Sequence, residues 1–178
     1  MDHMLRDILA FAIAACAVTL AASGWAWWNE ESRRLWRALD RALAGRPDAS
    51  VVSHGRGAAL DLGAGLVAVV SDGGRRLLVY ELQHFVGAEL LVDGRVAARA
   101  FRGEDRRALD QVADDAREVA LRLIFDDARD PDFEVWLWRG GDVVGRDGSP
   151  HLAIQEARRW LARAEAILRR SGPLAQTK

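Results

Sequence analysis

Three spacings of apolar residues succeed one another along the chain. From Ile8 to Trp28 the sequence ILAFAIAACAVTLAASGWAWW carries no charge over 21 positions. A helix needs about 20 such residues to cross the hydrocarbon core of a bilayer, so this run predicts a transmembrane helix. Trp25, Trp27 and Trp28 stand at its end, where indoles favour the headgroup level, and Asn29-Glu30-Glu31 open an aqueous segment. From there leucines recur every fourth residue, at Leu35, Leu39 and Leu43, until Gly45 and Pro47. This predicts an amphipathic juxtamembrane helix over 29–45, capped by Asn29.

Beyond residue 57 the spacing shortens to that of strands, in segments punctuated by glycine: AALDL, GLVAVVS, RRLLVYEL, FVGAELLVD and RVAARAF, followed later by REVALRLIFD and DFEVWLWR. Seven antiparallel strands are expected. Gly63-Ala64-Gly65, Asp72-Gly73-Gly74 and Asp93-Gly94 mark turns, because Asp-Gly tolerates the positive φ a tight hairpin requires. The polar interval GEDRRALDQVADDA predicts a short helix. Ser149 and Pro150 open a longer one, with Ile154, Ala157, Leu161, Ala164 and Leu168 on one face and Trp160 and Ile167 beside them. In DFEVWLWR, Phe133, Val135 and Leu137 alternate with Glu134, Trp136 and Trp138. Both faces are apolar, which makes Trp136 and Trp138 a candidate partner surface.

Charge changes the picture in two ways. Lys and Arg number 25 against 26 Asp and Glu, leaving a net charge of -1 and no basic field to attract nucleic acid. Locally, Arg33, Arg34, Arg37 and Arg41 follow the apolar run while only Arg6 precedes it, which predicts a cytoplasmic C-terminal domain on a single-pass protein of the bacterial inner membrane. The head MDHMLRD and the long tryptophan-ended run fit a cleaved signal peptide poorly. Ile13-Ala14-Ala15-Cys16 resembles a lipoprotein box, but an apolar segment, not a polar tether, follows it.

Candidate chemistry is sparse. Cys16 is the only cysteine, and His3, His54, His84 and His151 are dispersed. Asp126, Asp127, Asp130 and Asp132 crowd one turn without the glycine and closing glutamate of a calcium loop, and the glycine pairs lack the lysine of a phosphate loop. No catalytic residue, metal site, cofactor or small-molecule ligand is expected.

The runs AALDLGAGLVAVV, VYELQHFVGAELLVDG and LRLIFDDARDPDFEVWLW, with the final helix, resemble the pleckstrin-homology-like domains of bacterial membrane-attached proteins. The resemblance covers residues 57 to 170. It implies a seven-stranded bent antiparallel sandwich or partly open barrel closed by the C-terminal helix, hence an α+β domain. The expected layout is a head over 1–7, a transmembrane helix over 8–28, a juxtamembrane helix over 29–45, a linker over 46–56, the pleckstrin-homology-like domain over 57–170 and a tail over 171–178, with residues 46–178 expected to fold alone on a self-contained core. The expected function is non-catalytic: a membrane-anchored scaffold with the lipid bilayer and an unknown protein, or further copies of itself, as partners. An exported lipoprotein or periplasmic binding domain is the alternative, and an enzyme with an unrecognised site ranks behind it.

Overall fold

A computed structural model of the chain describes residues 2–43, 45–104, 107–108, 115–142 and 148–170, excepting the side chains of 2–10, 22, 24–29, 108 and 170. Its strands explain why the middle of the sequence is apolar on both faces. β1 (Ala49–Ser53), β2 (Arg56–Asp61), β3 (Leu66–Ser71) and β4 (Arg76–Glu81) form an antiparallel sheet in chain order. Ala58, Leu60, Val67 and Val69 face the main core, while Ala59, Ala68 and Val70 on the other face lie under helix α1 (Asp2–Ala42), against Leu35, Ala38, Leu39 and Leu43. The leucine stripe is therefore sealed against the chain's own sheet. Gly57 permits the close approach: a Cβ there would stand 2.9 Å from Val52 Cγ2 and 3.2 Å from Leu39 Cδ1.

The second sheet takes the order β7-β6-β5-β8-β9. It comprises β5 (Phe85–Val92), β6 (Arg95–Phe101), the short β7 (Arg107–Ala108), β8 (Glu118–Phe125) and β9 (Asp132–Arg139). Helix α2 (Pro150–Arg170) packs on β5, β6, β8 and β9. Its Ile154, Ala157, Trp160, Leu161, Ala164, Ile167 and Leu168 are all buried, as their spacing predicts, and Ser149 Oγ caps it by accepting the Leu152 N–H.

The largest correction concerns the N-terminus. Among the described residues, no helix is long and apolar enough to cross a membrane. Residues 8–28 are not a separate element; they lead without interruption into the charged half of one 41-residue helix, which Asn29 does not cap. Eight of those 21 residues are alanine, joined by Thr19, Ser23 and Gly24. Such small side chains bring little apolar area, and transfer free energy scales with area. The transmembrane helix, the single-pass inner-membrane location and the orientation drawn from flanking arginines all fall with this finding. The side chains of Trp25, Trp27 and Trp28 lie outside the described ones, and Arg33, Arg34, Arg37 and Arg41 are exposed on α1.

The strands also depart from the expected seven. The segment 46–56, expected as linker, contains β1 and the first hairpin turn, where His54 and Gly55 have φ of 49° and 72°. Asp93 and Gly94, with φ of 48° and 76°, make the predicted turn between β5 and β6. Where a short helix was expected over 103–116, Arg107–Ala108 pairs with β6, and 105–106 and 109–114 lie outside the described residues. Chain order is not spatial order in the second sheet, because β8 returns to pair with β5. At the crossing between sheets, Arg102 donates from Nη2 to the carbonyls of Leu82, Gln83 and Phe85 at 2.9, 3.1 and 2.8 Å.

Candidate functional site

A cleft of about 310 Å³ opens where β3 and β4 of the first sheet meet the β8–β9 end of the second. Val69, Leu78, Phe125 and Phe133 supply its apolar wall, with Arg56, Arg76, Asp130, Asp132 and Glu134 as its charged members. Each charged group already has a partner. Arg56 Nη1 donates to the Glu134 carbonyl at 2.9 Å, and its guanidinium lies 5.2 Å from the Phe133 ring centroid and 4.9 Å from that of Trp136. Arg139 lies 4.4 Å from the Trp136 ring centroid, so this indole meets two guanidinium groups. Arg76 pairs with Asp130.

Tyr80 stacks on Phe125, ring centroids 4.2 Å apart, and donates its hydroxyl to Asp127 Oδ2 at 3.0 Å. Burial first, and then the hydrogen bond and charge of Asp127, push the phenol up to about 12. Asp127 is the anchor of the acidic turn. It accepts the Arg129 backbone N–H at 2.9 Å, and that bond, with the one from Tyr80, holds its carboxyl below the usual range. Of the four crowded aspartates, Asp127 closes an Asx-type turn while Asp130 and Asp132 pair with Arg76 and Arg122, and among the described residues no group of three or more His, Cys, Asp or Glu is placed to hold a metal.

Beside the cleft, a row of alternating charge crosses the second sheet. The register sets Arg99, Glu89, Arg122 and Glu134 opposite one another on β6, β5, β8 and β9. Arg122 donates to Glu134 Oε1 at 2.8 Å and to Glu89 Oε2 at 3.2 Å. Its burial disfavours the cation, but the carboxylates of Glu134, Glu89 and Asp132 outweigh that and raise its pKa.

The two tryptophans of β9 do not share a face. The β8–β9 register slips between Val119 and Ala120, pairing them with Trp138 and Trp136 and leaving Leu137 as the extra residue. Trp138, 6% exposed, turns into the core, while Trp136 stays half-buried at the cleft. The side-by-side aromatic patch expected of Trp136 and Trp138 is not formed. The histidines also stay apart: His54 Nε2 lies 3.1 Å from Asp142 Oδ2, His84 sits in the turn before β5, His151 contacts Gln155, and the His3 side chain is outside the described ones.

Sequence reading missed Arg56, Tyr80 and Phe133 as neighbours. Arg56 stood in the assumed linker, and no local signal links it to β9. What the cleft offers is stacking and hydrogen bonding: its tyrosine is held protonated and its carboxylates are engaged. No family model matches the chain, and no curated protein and no solved structure does so either. Nothing in these comparisons identifies a pleckstrin-homology-like domain, and the nine described strands in two sheets depart from the seven-stranded order that the likeness implied.

Proposed function

We propose that the protein is a non-catalytic binding module that works by contact with another protein, either a partner or a further copy of itself. One observation carries this reading: among the described residues, nothing of the chain covers the stretch 11–21 of α1. Phe11, Ile13, Val18 and Leu20 are 78, 62, 68 and 74% exposed, whereas Leu35, Leu39 and Leu43 further along the same helix are buried on the first sheet. A helix that is apolar all round is ordinarily buried, and uncharged surface of this extent marks a contact region. The cleft adds groups that orient and stack a surface laid against it, Arg56 over Phe133 and Trp136 and Tyr80 on Phe125.

The test is a photo-crosslinking residue placed at Val18 in the full-length chain. Discrete protein adducts, to a partner or to the chain itself, are the expected result. Irradiation that yields no protein adduct overturns the proposal.

A further inference from the structure

The first sheet ends in β4, whose only strand neighbour among the described residues is β3. Among the described residues, no backbone hydrogen bond joins its outer edge to another segment. Edge strands of this kind usually carry a proline, a bulge or a covering element. β4 has no proline and its register runs without a shift. Leu77 and Val79, opposite Val70 and Ala68, continue the apolar face that α1 covers further in, yet are 38 and 44% exposed. Among the described residues, nothing covers the edge where it is most apolar.

The order of residues along it says what fits. On that face Leu77 and Val79 are followed by Glu81, while Arg75 stands in the turn just ahead of the strand, its backbone helical and its Nε donating to the Asp72 carbonyl; both charged residues are exposed. Turned end for end, the row is complementary to itself. We propose that β4 pairs antiparallel with β4 of a second copy, joining the two copies of the first sheet into one continuous sheet; this rests on the self-association arm of the function proposed above. A two-fold axis normal to the sheet keeps each face on its own side, so the register sets Leu78 opposite the partner's Leu78 and Leu77 opposite the partner's Val79. Arg75, at the end of the turn that leads into the strand, then comes near the partner's Glu81, and the partner's Arg75 near Glu81. Opposite charges and paired aliphatic side chains directly across an antiparallel pair both stabilise it.

The experiment uses the full chain with Cys16→Ser, which leaves no native thiol. Leu77→Cys and Val79→Cys are made separately. Directly opposed Cβ atoms lie within disulfide reach, whereas residues one pair further along do not. The mixture should therefore oxidise to dimer several-fold faster than either variant alone. In parallel, Glu81→Arg, which sets arginine against arginine, should lower the dimeric fraction by light scattering, and Arg75→Glu added to it should restore that fraction. Equal oxidation in mixed and unmixed samples, or a charge swap without rescue, overturns the β4 pairing. If the chain associates by light scattering but gives no mixed disulfide, the broader reading stands and this edge is not its site; a chain monomeric throughout overturns the pairing and the self-association arm together.

Discussion

Tyr80 is the chain's one tyrosine, so its ionisation can be followed without interference. Its folded pKa, about 12, lies above the ordinary value of 10 because burial and Asp127 disfavour the phenolate. A group raised in this way stabilises the fold below its unfolded pKa, and the contribution fades as pH climbs through the folded one. Phenolate absorbance of the native protein should accordingly reach half-height near 12, and the melting temperature of the wild type should fall more steeply between pH 10 and 12 than that of Tyr80→Phe. A midpoint near 10 would contradict the Tyr80–Asp127 hydrogen bond. Arg102 is the second residue whose role is local and testable. Arg102→Ala strips a donor from three carbonyls at the crossing between sheets, and losing a charged donor from partly buried acceptors should cost about 1–3 kcal/mol, read as a lowered denaturation midpoint. Arg102→Lys should recover only part of this, since one ammonium does not reproduce the reach of the guanidinium fork.

At the scale of elements, legibility followed how local the causes were. Helix α2 was readable because its apolar stripe is one-sided and its cap lies in sequence beside it, at Ser149 and Pro150. The Asp93–Gly94 hairpin was readable for the same reason. β1 was not, since ASVVS is short, follows Pro47 and turns at His54–Gly55, a pair with weaker turn character than Asp-Gly. The β9 bulge left no mark in DFEVWLWR, because a slipped register comes from pairing with β8 and not from alternation along one strand. The order of the second sheet likewise depends on β8 meeting β5, about thirty residues away in sequence, and the cleft on Arg56 meeting Trp136. For α2 itself, Leu161→Asp sets a charge among fully buried residues and should cost several kcal/mol, on the order of the stability of a whole domain. An unchanged melting temperature would refute the assigned face.

On the scale of the whole molecule, the boundary drawn after residue 45 divides one folding unit. The stripe of Leu35, Leu39 and Leu43 is the cover of the first sheet, with Ala59, Ala68 and Val70 beneath it. Removing it exposes both sides of that contact to water. At about 1.5–3 kcal/mol for each fully buried leucine, and less once a compact unfolded state is allowed for, the loss is about 5 kcal/mol, comparable with the total stability of many domains. A fragment of residues 46–178 should therefore aggregate or melt far below the full chain, although its strands and α2 are intact in sequence. A fragment of residues 29–178 should keep a cooperative transition close to that of the full chain, because the described residues of α1 that lie beyond Phe11–Leu20 include every one that meets the sheet core. Circular dichroism melts of the two fragments, compared side by side, separate the alternatives. Equal stability of the two would mean that α1 merely rests on the sheet, and a collapse of both would mean that its leading half supports the fold.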